Sequence, residues 1–71
     1  MEAAWFSRRR WLADQPAVVR EVETRVGYPL VVKPAVAGSS VGISRAAHAE
    51  ELVGAVARAI QFSARVLAEL S

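Results

Sequence analysis

The chain has 71 residues, 54% hydrophobic and 23% charged, with a formal net charge of +2, no cysteine and one histidine. Its length allows a single domain, residues 1–71, and a chain this short buries only about 60% of the surface its unfolded form exposes. The composition excludes a charge-dominated disordered chain, a disulfide framework and a thiolate metal site. No apolar run approaches the ~20 residues that span a bilayer, so no membrane contact is expected. The N-terminal basic cluster follows the few apolar residues, the reverse of a secretory signal, and the expected location is cytoplasmic.

In chain order, "AAWFS" at residues 3–7 is a short apolar run that predicts a strand. Arg8, Arg9 and Arg10 then stand between Trp5-Phe6 and Trp11. They read as a solvated strand end or turn whose guanidinium groups lie over aromatic rings. The other reading of this cluster, a nucleic-acid contact, lacks the aromatic-rich middle strands that RNA-binding sheets use, and no nucleic-acid partner is expected. Asp14 is a good N-cap, Pro16 suits a first helical turn, and Val18, Val19, Val22 and Val26 recur at helical spacing. The prediction is a helix over 15–26 that stops at Gly27.

Pro29 to Ala35 read as a buried strand through Leu30, Val31 and Val32, with Pro34 marking its end or a sheet edge. Ala37 to Val41 make a tight connection, and "VGISRA" after it alternates like a strand, so these two strands run antiparallel. Glu50 and Glu51 favour a first helical turn, and Leu52, Val53, Val56, Ala59 and Ile60 form an apolar stripe to about residue 63. "RVLAEL" at 65–70 predicts a last strand. The order β-α-β-β-α-β gives an α+β fold made of two halves of a split βαβ. Its four-stranded, mostly antiparallel sheet carries both helices on one face.

Of nine basic residues only Lys33 is a lysine, and it sits at a strand end before Gly38-Ser39-Ser40-Val41-Gly42. Such an arrangement suits phosphate: glycines let backbone N–H groups approach an anion, hydroxyls add donors, and an ammonium supplies a compact charge where arginine offers a wide planar fork. A plainer reading is also open, in which Lys33 extends from an edge strand to solvent and the glycines make a hairpin turn. Neither GxxxxGK[ST] nor GxGxxG is present. Gly38 to Gly42 does match GxSxG, but that motif needs a helix directly after the serine, and "GISRA" reads as a strand. His48 leads into the second helix and reads as a capping or surface residue.

The string "GYPLVVKPAVAGSSVGIS" at 27–44, with "EEL" opening a helix and "VLAEL" closing the segment, resembles the ATP-grasp D-alanine-D-alanine ligases. The resemblance covers nearly the whole chain and is strongest over residues 27–70. It implies the small subdomain that forms one jaw of an ATP clamp. By that resemblance Lys33 matches the lysine that contacts the phosphates of ATP. Gly38, Ser39, Ser40, Val41 and Gly42 match the loop that folds over them, and Glu69 matches the acidic residue that contacts the adenine amino group. Leu70 departs from the family, which often carries a second charged residue there. The magnesium ligands, the arginine that steadies the transferring phosphate and the D-alanine-binding domains have no counterpart in these residues. The chain is therefore expected to be a fragment of a larger ligase that binds ATP and magnesium and is inactive alone, with no catalytic residues of its own. D-alanine would be met only through the missing domains. The alternative expectation is a non-catalytic interaction module of the same fold that pairs with another chain. Self-association, or pairing with a complementary ligase fragment, completes the expected partners.

Overall fold

The structure is a computed structural model, and it describes residues 3–35 and 42–71. Along the chain lie β1 (Ala3–Ser7), α1 (Arg8–Ala13), α2 (Gln15–Arg25), β2 (Leu30–Pro34), β3 (Ser44–Ala46), α3 (Ala49–Ala59) and β4 (Arg65–Leu70). The four strands form one sheet in the order β1-β4-β2-β3, and every neighbouring pair is antiparallel. Because β4 is antiparallel to both β1 and β2, those two strands are parallel to each other with β4 between them. In the same way β3 and β4 are parallel with β2 between them. The fold is thus two interleaved split βαβ units, one crossing over through α1 and α2 and the other through α3, as the order of elements predicts.

One side of this sheet is the core face. Ala4 and Phe6 of β1, Leu30 and Val32 of β2, Ala46 of β3, and Val66 and Ala68 of β4 are all buried. They meet Val18 and Val22 of α2 and Leu52, Ala55, Val56 and Ala59 of α3 in one cluster. Burying a Val or Leu completely contributes about 1.5–3 kcal/mol, so the fully covered Leu30, Leu52, Val18, Val22, Val32, Val56 and Val66 are the principal source of stability. No helix among the described residues is long and apolar enough to cross a membrane.

The segment after β1 corrects the reading of Arg8 to Arg10 as a strand end or turn. Ser7 has extended backbone angles (φ −95°, ψ 155°), and its Oγ accepts a hydrogen bond from the Arg10 N–H at 3.0 Å. That is an N-cap, and it starts a six-residue helix rather than a turn. The helix buries Trp11, whose ring stands 6.0 Å from that of Phe6, centroid to centroid. Helix α1 does not run on into α2 because Pro16 has no N–H to give the Leu12 carbonyl. Asp14 resolves the break from both sides. Its N–H donates to the Arg10 carbonyl at 3.0 Å, and its Oδ1 accepts from Ala17 N–H at 3.3 Å.

The other helix ends follow the expected signals. Gly27 adopts φ +79° just past α2, where Val26 and Gly27 both donate to the Val22 carbonyl. His48 caps α3, its Nδ1 accepting from Glu51 N–H at 3.5 Å while Glu51 Oε1 accepts from Ala47 N–H at 2.8 Å. Helix α3 ends at Ala59, short of the expected residue 63, because the chain tightens: Gln61 donates to the Arg58 carbonyl and Phe62 to that of Ala59. Strand β3 is likewise shorter than expected, with Ile43 outside it and Ser44 as its first residue. Pro34 closes β2, which is a central strand and not an edge. The Ala35 N–H donates to Arg65 of β4, so the position of Pro34's missing N–H faces the β3 side, where the ladder has already ended at Val32 opposite Ser44.

Candidate functional site

The second side of the sheet carries no helix among the described residues. Alternation along each strand decides what it displays. Trp5, Leu67 and Lys33 form one cross-strand row, and Ala3, Glu69, Val31 and Arg45 form the next. The face is mixed. Trp5 is half-exposed, Leu67 and Val31 are partly covered, and the charged groups stand among them.

Lys33 and Glu69 are brought together here although 36 positions separate them in the chain (69 − 33). Lys33 lies opposite Leu67 and Glu69 opposite Val31, so the two are diagonal neighbours on β2 and β4, and the Lys33 ammonium forms an ion pair with the Glu69 Oε1. Their side chains are 40% and 32% exposed. An ion pair so open to water contributes only about 0.2–1 kcal/mol to stability, so it does little to hold the fold together. Its interest is chemical: it sets a compact, hydrogen-bonding cation on a face that no helix covers among the described residues.

Gly42, the last residue of the predicted loop, has φ +83°. A Cβ built on it would lie 2.7 Å from Phe62 Cδ2 and 3.3 Å from Pro34 Cγ. This glycine therefore has a local reason to be one: its backbone is left-handed and the Phe62 ring and Pro34 ring lie against it. Gly38, Ser39, Ser40 and Val41 lie outside the described residues.

The sequence reading missed other members of this face. Arg65 holds its guanidinium 5.3 Å from the centre of the Trp5 ring, so an arginine does cover an aromatic side chain, but not one from the 8–10 cluster. Trp5 and Phe6 sit on opposite faces of β1, a split visible only once strand alternation is applied across the apolar run. The arginines of the cluster are engaged elsewhere. Arg8 donates from Nε and Nη2 to the Ile60 carbonyl at 2.9 and 2.7 Å, closing the end of α3. Arg10 pairs with Glu21 at 2.5 Å, which holds the Glu21 carboxyl below its ordinary range. Arg9 is exposed. Among the described residues, shallow depressions lie at the β3 edge beside α3, bordered by Ser44, Arg45 and Arg58, between α2 and α3 around Val19 and Val53, and along α2 around Arg20 and Thr24.

Comparison with known proteins agrees with this architecture. The family model described as D-ala D-ala ligase C-terminus matches residues 1–71. The chain is 50% identical over 64 residues to the D-alanine--D-alanine ligase of Kineococcus radiotolerans, covering 90% of this chain and 17% of that protein. It is 47% identical over 62 residues to that of Heliobacterium modesticaldum, covering 87% and 17%. Among solved structures it is similar to VanG D-Ala:D-Ser ligase from Enterococcus faecalis, with a TM-score of 0.81 and 32% identity, over 97% of this chain and 19% of that one. It is also similar to the D-alanine-D-alanine ligase from Helicobacter pylori, with a TM-score of 0.78 and 25% identity over 100% and 20%. The chain spans less than a fifth of the length of the two curated relatives. Matched along its whole length by the family model and built on the same fold as these ligases, the chain belongs to the D-ala D-ala ligase C-terminus family.

Proposed function

We propose that this chain is the ATP-phosphate-binding subdomain of a cytoplasmic D-alanine-D-alanine ligase, which would serve peptidoglycan precursor synthesis. The observation that carries the reading is the position of Lys33, the chain's sole lysine, on a sheet face that no helix covers among the described residues, next in sequence to Pro34, whose ring lies against Gly42. In this role Lys33 gives its ammonium to the phosphates, Gly38, Ser39, Ser40, Val41 and Gly42 form the loop that covers them, and Glu69 accepts from the adenine amino group. The residues of the face suit a nucleotide: a cation for the phosphates, and Leu67 and Val31 as apolar floor beside it.

Bound ATP would supply the activated phosphoryl group, and this chain's part is to hold and orient it. Among the described residues no group of three His, Cys, Asp or Glu stands close enough to hold a metal ion. By the resemblance to the ligases, the protein ligands for magnesium and the D-alanine sites are expected on other segments of such an enzyme. Phosphoryl transfer depends on positioning and electrostatics from all sides, so half of the clamp is expected to bind without turnover.

The test is a two-dimensional amide NMR titration with MgATP at low salt, on the wild type and on Lys33→Met. Shifts at Lys33 and Gly38 to Gly42 that disappear in the variant are the expected result. A dispersed spectrum that MgATP leaves unmoved would overturn the reading in favour of an interaction module that keeps the fold without the nucleotide.

A further inference from the structure

The ion pair on the open face poses a problem for any anion that approaches Lys33, because the ammonium is already matched by a carboxylate. We propose that Glu69 is a counter-ion gate on Lys33: it holds the ammonium in place on the sheet and must yield it when a polyphosphate binds. This rests on the reading of the face as a phosphate-binding one. Toward the phosphates Glu69 acts as a positioning residue, through Lys33, and its contact with the adenine amino group in the proposed function is a separate one.

Geometry supports an exchange over a simple addition. The two side chains meet diagonally across the β2–β4 ladder, with Leu67 and Val31 as their direct cross-strand neighbours. An anion that reaches the Lys33 ammonium therefore also comes close to the Glu69 carboxylate, and like charges repel at that range. Arg65 lies on β4 two cross-strand rows from Glu69, but its guanidinium lies over Trp5. The pair is open enough to break at little cost, since exposed ion pairs contribute at most ~1 kcal/mol. It still gives Lys33 a fixed place: an ammonium on a four-carbon stem otherwise samples many rotamers, and holding it spares some of that ordering when ligand arrives. The gate thus opposes binding through charge and assists it through order. Charge dominates for a highly charged ligand at low salt, and screening weakens that term.

The experiment uses inorganic tripolyphosphate, which has no base and so isolates the phosphate end. Wild type and Glu69→Gln are titrated calorimetrically at low and high salt, with MgATP in parallel. Glu69→Gln is expected to bind tripolyphosphate about fivefold more tightly at low salt, the factor equivalent to ~1 kcal/mol, with the gain shrinking at high salt. A second measurement does not depend on ligand. In protein isotope-labelled at its one lysine, the ammonium signal is sharp in the wild type and broadened by solvent exchange in Glu69→Gln. An equal or weaker affinity in Glu69→Gln, with the wild type still binding, overturns the gate alone. So does an ammonium signal that is the same in both proteins. If neither protein binds tripolyphosphate or MgATP, the phosphate-binding reading itself falls and the gate falls with it.

Discussion

Replacing Arg8 by Met should destabilise the protein strongly, while the same change at Arg9 should hardly be felt. Arg8 sends two hydrogen bonds from its guanidinium to the Ile60 carbonyl at the end of α3, 52 residues away. The group is partly buried, and helix ends leave carbonyls in need of such donors. Hydrogen bonds to a charged group contribute about 1.5–3 kcal/mol, and a cation at a helix C-terminus adds about 0.3–1 kcal/mol. Both bonds share one acceptor and solvent reaches the site, so the expected loss for Arg8→Met is about 2 kcal/mol. A 71-residue domain has roughly 4–10 kcal/mol of stability in all, so this is a large fraction. It corresponds to a fall in Tm of about 8–16 °C. Arg9→Met, at an exposed position, should cost under about 0.5 kcal/mol. Urea unfolding followed by tryptophan fluorescence reads both, since Trp11 is buried in the core that α1 helps to close. Equal losses for the two variants, or none for Arg8→Met, would refute the view that the cluster is structural and that Arg8 locks β1 and α1 to α3.

The two left-handed glycines separate backbone strain from crowding. Gly27→Ala meets open space and should cost about 1 kcal/mol from its φ alone, whereas Gly42→Ala adds a clash with Phe62 and should cost more. Chemical denaturation of both, and of Gly42→Ala with Phe62→Ala, checks this: the double variant should recover the excess, and equal losses for the two single variants would discount the Phe62 contact. Tyr28 is the only tyrosine, so its titration can be followed directly by phenolate absorbance. Burial, and then its hydrogen bond to Glu23, push its pKa up to about 12. A raised folded pKa means the stabilisation is complete below pH ~10, the unfolded value, and is lost as pH rises through 12. Stability of the wild type should fall between those limits, and Tyr28→Phe should remove that part of the pH dependence; a folded-state midpoint near 10 would contradict the placement of the ring.

Much of the fold was legible because local signals agree with the global arrangement. Asp14, Pro16, Gly27 and His48 each mark a helix end by chemistry that acts within a few residues, and all four do so in the structure. The valine and leucine spacings placed most of the core faces of α2, α3 and β2 for the same reason, but Val53 of the expected α3 stripe is exposed, and Val31 of the strand expected to be buried points to the second face of the sheet. Helix α1 was not legible. Three arginines and a tryptophan give no helical stripe, and what makes the segment a helix is the Ser7 cap together with burial of Trp11 against Phe6. Of the candidate site, Lys33 stood out by being the single lysine, and the GSSVG string stood out by composition.

Apart from α1 and its Ser7 cap, the sequence by itself determined the order of strands and helices, the caps at Asp14, Gly27 and His48, most of the apolar faces and the family, because each depends on neighbours along the chain or on a contiguous string of residues. Only the tertiary structure decided that β4 lies between β1 and β2. That pairing alone sets Glu69 beside Lys33 and Arg65 over Trp5. The same packing carries Arg8 to the far end of α3. The physical reason is that these partners are chosen by which strands and helices bury their apolar faces together, a global competition that no local spacing records.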